Sequence, residues 1–277
     1  MVNLAFVTIL GVFLLSTLLW GFKALPSERW QMIASVPRAK RTDGAWQGLN
    51  LTYYGFFSAT GSTVGVAMMM LLSASIGVPL VAAVGFIVIM LVISLPASRM
   101  VAAIVEHKRN TFTIAGAAFV ATILTPPLIL GLQRVLLTRQ LEIPILPVVA
   151  ASAIAYSIGE SIGRLGCISF GCCYGIPLRE ASPTVAKIFR RYSLVLHGRT
   201  KKAAYASGLA GEPLIPVQVL TSLLFALAGL AGTGLFLAEM WQAAALIPIV
   251  CTWGWRAASE SLARIFEVTV EFPPIGS

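Results

Sequence analysis

The sequence predicts an all-α fold: a polytopic membrane helix bundle of about seven spans, with an amphipathic helix in one long loop. Three observations carry that prediction. Apolar residues make up 57% of the 277 and charged residues only 11%, with a mean hydropathy of +0.86. A soluble domain carries about 25% charged residues. Apolar runs of about 20 residues recur along the chain, long enough to cross a hydrocarbon core as helices. The runs are continuously apolar and do not alternate, which argues against strands. The same composition excludes a disordered chain and a soluble nucleic-acid module, despite a net charge of +9. On a membrane protein that charge belongs first to loops meeting anionic headgroups.

The first span runs from Asn3 to Phe22. It opens Met1-Val2-Asn3 with no basic n-region, so it reads as a retained anchor, not a cleaved signal peptide. Lys23 to Leu49 reads as a polar linker with Pro26, Pro37 and mixed charges. Residues 1–49 are therefore expected to form an anchor plus linker, and residues 50–277 a membrane domain. Spans follow at Leu51 to Leu72, Ile76 to Ala97, Phe112 to Leu132, and Ile145 to Phe170. The loop 176–213 comes next, then spans Leu214 to Leu237 and Trp241 to Leu262. Inside the loop, Ser182-Pro183 is a helix start: a capping hydroxyl followed by proline in the first turn. Val185, Ile188, Phe189 and Tyr192 then share one face, with Lys187, Arg190 and Arg191 off it. That is a basic amphipathic helix suited to an anionic membrane surface or to capping the bundle. Gly61/Gly65 and Gly159/Gly163 have the spacing that lets helix backbones approach closely in lipid. No repeat recurs at a fixed period.

Lysine and arginine set the orientation. With alternating spans, fifteen basic residues fall on the side of the 176–213 loop, and two, Arg134 and Arg139, on the other. The positive-inside rule puts the rich side in the cytoplasm and the N-terminus outside.

Four ionised side chains fall within spans: Glu160, Arg164, Arg256 and Glu260. Each costs at least about 2.5 kcal/mol at the bilayer centre. They form two i,i+4 pairs, Glu160/Arg164 and Arg256/Glu260, a spacing that brings each acid to its own arginine. Intramembrane charge marks function by default; the alternative is ion pairs that lock helices together. Gly159 to Gly175 holds five glycines in seventeen residues, which predicts a helix opening into a loop beside the arginines. Two guanidiniums in a polar pocket in lipid suit a phosphate, since each forks onto two oxygens. Cys167, Cys172 and Cys173 lie within the same stretch. Three readings stay open for them: packing beside glycines, a reactive thiolate, or a metal or redox site that lacks a fourth nearby ligand.

Several segments, taken in order, resemble the bacterial prolipoprotein diacylglyceryl transferases. They are Tyr53-Tyr54-Gly55; Gly163-Arg164-Leu165-Gly166 with Gly171 and Gly175; Pro216-Val217-Gln218; and Arg256 with Glu260. The resemblance covers roughly Asn50 to Arg264. It implies a multi-pass enzyme of the bacterial inner (cytoplasmic) membrane. Such an enzyme moves diacylglyceryl from phosphatidylglycerol to the lipobox cysteine thiol of a prolipoprotein, releasing glycerol phosphate, with no metal or other cofactor implied. The expected catalytic set is Arg164, Arg256, Glu260, Glu160 and Tyr54. The expected substrate-binding set is Gly163, Gly166, Cys167, Gly171, Cys172, Gly175 and Gln218. Glu160, Glu260 and Tyr54 are the candidate bases for the acceptor thiol, while His107 and His197 read as solvated. Cys167 and Cys172 stand where the family has asparagine and glutamate, and the family's signature loop lies outside the cytoplasm. Two alternatives remain: a paralogue using the same lipid pocket on another acceptor, and a non-catalytic lipid-binding or transport protein.

Overall fold

The computed structural model describes residues 2–40, 42, 44, 46–104, 114–137 and 143–262. Seven long helices stand where spans are expected. They are α1 (Val2–Ala24), α2 (Tyr53–Ser75), α3 (Leu80–Ile104), α4 (Ile114–Leu137), α5 (Ile145–Phe170), α8 (Val217–Leu237) and α9 (Trp241–Leu262). The loop between α5 and α8 carries two short helices, α6 (Pro183–Phe189) and α7 (Lys202–Ser207). Five of the long helices, α1, α2, α3, α5 and α8, are long and apolar enough to cross a membrane. In α4 the apolar stretch among described residues is shorter, Val120–Gly131. The protein is an all-α, multi-pass membrane helix bundle.

The bundle is built around α5, which packs on α1, α2, α8 and α9. Small residues make this possible. A Cβ on Gly159 would sit 2.8 Å from the Gly61 carbonyl oxygen of α2, and one on Gly166 would sit 3.0 Å from the Tyr54 carbonyl oxygen. Backbone therefore lies directly on backbone, the close approach that small residues permit in lipid. On the other side, a Cβ on Gly232 of α8 would meet Ile154 at 2.8 Å. Polar groups cross between helices as well: Ser222 Oγ of α8 donates to the Ser161 carbonyl, and Trp255 Nε1 of α9 donates to Thr221 Oγ1 at 2.7 Å.

Three expectations can be made more specific. First, the helix expected to open into a loop does so only after Phe170. The α5 helix continues to Phe170 and ends at Gly171, whose left-handed φ of 73° forms the cap. The internal glycines serve helix packing. Second, the expected anchor helix, α1, packs into the bundle. Leu14 and Leu18 are buried in the same core as α5, and a Cβ on Gly21 would clash with Leu165 of α5 at 2.6 Å. Third, the linker contains a β-hairpin, β1 (Met32–Lys40) and β2 (Trp46–Thr52), paired antiparallel with Val36 opposite Leu49. All residues of the two strands but Thr52 are exposed. Thr52 then caps α2, its side chain accepting from Gly55 N–H.

The end of α1, the hairpin base, the end of α5 and the 176–213 loop all meet on one side. His197 N–H donates to the Pro26 carbonyl at 3.0 Å, and Thr200 Oγ1 bonds Gln31 at 2.8 Å. This matches the alternation on which the charge count rests. Trp20, Trp30 and Tyr53 stack edge to face here, with centroids 5.2 and 5.1 Å apart, an aromatic cluster of the kind found at membrane interfaces. Within the loop, α6 starts where expected, with Ser182 Oγ accepting from Val185 N–H. Ile188 and Tyr192 project outward, 59% and 69% exposed.

Candidate functional site

Glu160 and Arg164 lie one helical turn apart on α5, about 15 and 9 Å before its C-terminal end at 1.5 Å per residue. Arg164 Nη2 contacts Glu160 Oε1 at 2.6 Å. Arg256 reaches the same oxygen from α9, at 3.8 Å. Its Nη2 also donates to the Tyr156 hydroxyl at 2.6 Å, and its guanidinium lies 5.8 Å from the Trp253 ring centroid. Tyr156, Glu160 and Arg164 thus form an i,i+4 series on one face of α5. The sequence expectation paired Arg256 with Glu260 on its own helix. The contacts described instead join Arg256 to Glu160 and Tyr156 across the α5–α9 crossing; the side chain of Glu260 lies outside the described residues, as does His107.

Among the described side chains the cluster carries two positive charges and one negative. The arginine and glutamate side chains are 17%, 17% and 11% exposed, and the Nε atoms of both arginines are buried with no hydrogen-bond partner. A buried donor without a partner costs roughly 1–3 kcal/mol. The site therefore holds more hydrogen-bonding capacity than its own protein groups use.

Part of that capacity, on Arg164, sits at the wall of a large open cavity. A space of about 560 Å³ lies between α2, α3, α4, α5 and α9, within the roughly 300–1,000 Å³ usual for ligand cavities. Tyr54, Tyr156, Glu160, Gly163, Arg164 and Cys167 line one part, and Met69, Phe86 and Met90 another. Its lining along α5 runs from Val149 to Cys167, about 27 Å of helix rise. A long apolar space with a cationic part is complementary to an anionic amphiphile.

Other expected site residues have different places. Gly166 packs under Tyr54, Gly171 caps α5, and Gly175 packs on Ile215. None of the three is among the cavity-lining residues. Gln218 is buried, and its Nε2 donates to the Cys172 carbonyl at 2.7 Å, so it holds the turn after α5. That turn brings three thiols together: the Sγ atoms of Cys167, Cys172 and Cys173 all lie within 4.8 Å of one another.

No family model, no curated protein and no solved structure matches this chain.

Sequence reasoning missed three residues. Tyr156 and Trp253 were within reach, because each stands a helical turn from a charged residue already singled out. Lys201 entered only as one of the basic residues of the 176–213 loop. It is completely buried, with Nζ donating to the carbonyls of Leu25 at 2.9 Å and Ser169. Those carbonyls belong to the C-terminal ends of α1 and α5, where unpaired acceptors and the helix dipole favour a cation. Burial pushes the Lys201 ammonium down from 10.5 to about 8, with Glu28 opposing. His197 is exposed, as expected.

Proposed function

We propose that this protein binds the phosphate of an anionic glycerophospholipid in the bacterial cytoplasmic membrane and transfers its diacylglyceryl group to a thiol acceptor. The observation that carries this reading is the convergence of Arg164 and Arg256 on one oxygen of Glu160, with Glu160 and Arg164 lining a large, mostly apolar cavity and Arg256 standing behind them. The net positive charge and unused donors suit a phosphate; the apolar part suits acyl chains. Phosphatidylglycerol is the donor that the sequence resemblance favours, and a prolipoprotein lipobox cysteine is the acceptor.

In that reaction the acceptor sulfur attacks the glyceryl carbon that bears the phosphate ester. A C–S bond forms and the C–O bond breaks, its electron pair leaving on the phosphate oxygen of glycerol phosphate. The two guanidiniums stabilise the charge growing there. The thiol proton passes to a base. Glu160 is a candidate, since both arginine contacts fall on Oε1 and leave Oε2 to accept. Tyr54 on the cavity wall and Glu260 are the others.

The test is transfer of labelled diacylglyceryl from phosphatidylglycerol to a lipobox peptide by the purified full chain in lipid vesicles. Transfer supports the reading. Tight phosphatidylglycerol binding without transfer to any thiol peptide overturns the enzymatic step and leaves a lipid-binding protein. A reporter tag inserted after the exposed Gly211 fixes the side of the membrane. The charge count expects it inside, whereas prolipoprotein as substrate requires it outside.

A further inference from the structure

We propose that Cys167, Cys172 and Cys173 form a three-coordinate site for a soft, thiophilic metal ion of the Cu(I) type. The inference does not rest on the phospholipid reading.

The geometry carries it. A metal–thiolate bond of about 2.3 Å places sulfurs roughly 4.0 Å apart in a trigonal site and 3.8 Å apart in a tetrahedral one. The three Sγ atoms lie within 4.8 Å of one another, and Cys172 and Cys173 stand at 3.8 Å. The backbone is shaped to give this arrangement. Left-handed φ values at Gly171 (73°) and Cys173 (56°) fold the chain back after α5. Gly171 N–H and Cys172 N–H both donate to the Cys167 carbonyl, at 2.8 and 3.0 Å, and Gln218 holds the Cys172 carbonyl. A non-glycine residue in the left-handed region at a ligand cluster is a sign of function.

Chemistry selects the ion. Thiolates prefer soft ions, while structural zinc takes four ligands. Among the described residues only these three potential ligands cluster. A disulfide between neighbours is disfavoured, because adjacent Cα atoms stand about 3.8 Å apart, closer than disulfides usually allow. Three thiolates and a monovalent ion leave a charge of −2. Arg164 and Lys202 both act electrostatically on Cys173 and offset part of it. Access is built in: Cys173 is exposed on the loop side, while Cys167 is buried and lines the cavity.

The experiment uses the full chain in detergent under reductant, with Cu(I) as the probe and alkylation of thiols followed by mass spectrometry. Cu(I) should shield Cys167, Cys172 and Cys173 together and leave Cys251 reactive, at about one ion per chain. Cys172→Ser and Cys173→Ser should each abolish the shielding of the remaining pair, and Cys251→Ser should leave it intact. Shielding of fewer than three of these thiols in the wild type overturns the site, whether or not the serine variants fold. Zn(II) displacing Cu(I) overturns the three-coordinate assignment.

Discussion

Lys201 and the Arg164–Arg256 pair are both cations withdrawn from bulk water, and the bundle treats them in opposite ways. Lys201 is fully buried and faces backbone: two helix-end carbonyls take its Nζ, and Gly171 leaves room for its stem, a Cβ there coming within 3.0 Å of Lys201 Cβ. It lines no part of the large cavity. The arginines share one carboxylate and keep buried Nε donors without partners; Arg164 lines that cavity, and Arg256 reaches it through Glu160 and Tyr156, which also line it. A guanidinium carries about five N–H donors in a rigid fork, against three on an ammonium. So burial of a charge does not by itself mark a ligand site. What marks it is capacity left over after the protein's own partners are counted, next to space for something else.

The sharpest way to break the comparison is to remove the acid that both arginines share. Glu160→Gln leaves two buried cations without their counter-charge, and breaking a buried ion pair costs about 3–5 kcal/mol. Thermal unfolding in detergent should drop accordingly. A variant as stable as the wild type would mean that water or Glu260 already neutralises the arginines.

The next effect separates function from stability. Arg164→Lys and Arg256→Lys keep the charge but lose the fork. If the phosphate reading holds, each should lower diacylglyceryl transfer about 100- to 1,000-fold, the usual loss for one preorganised donor. Gel filtration should show both still folded. Full transfer in either variant would sink the clamp.

How much of this was legible in the sequence depends on how local each feature is. The bounds of α5, Ile145 to Phe170, and the start of α9 at Trp241 are those expected; for α5, apolar length, Pro144 and Gly171 punctuate the chain locally. The Glu160–Arg164 pair was equally legible, being one turn apart. Arg256 was paired with Glu260 by the same local rule, yet its described partners lie about 100 residues away across a helix crossing. The packing role of Gly61 and Gly159 was legible from their spacing; that α2 also lays its Tyr54 backbone on Gly166 was not. The hairpin was hidden by Pro37 and by charges typical of linkers, although both strands of a two-stranded ribbon are edges and tolerate proline. Lys201 was the least legible. Nothing local distinguishes a lysine that folds back onto two helix ends from the six other basic residues of its loop.

That lysine gives the smallest effect and the cleanest sign. Its folded-state value, about 8, lies below its ordinary 10.5. Between these two pH values the unfolded chain holds more protons than the folded one, so stability rises with pH across the window. Below pH 8 the full burden of the buried charge is present. A shift of this size corresponds to at most roughly 3 kcal/mol. Unfolding midpoints measured from pH 7 to 10.5 should therefore climb in the wild type and stay nearly flat in Lys201→Met. The variant also strands the Leu25 and Ser169 carbonyls, costing about 1–3 kcal/mol for each buried acceptor left unpaired, so it should be the less stable protein above pH 10. Its phosphatidylglycerol binding should match that of the wild type, because Lys201 touches no wall of the cavity. Binding lost in Lys201→Met as completely as in Arg164→Lys, with the fold retained, would erase the distinction between a cation that holds helix ends together and cations that wait for a ligand.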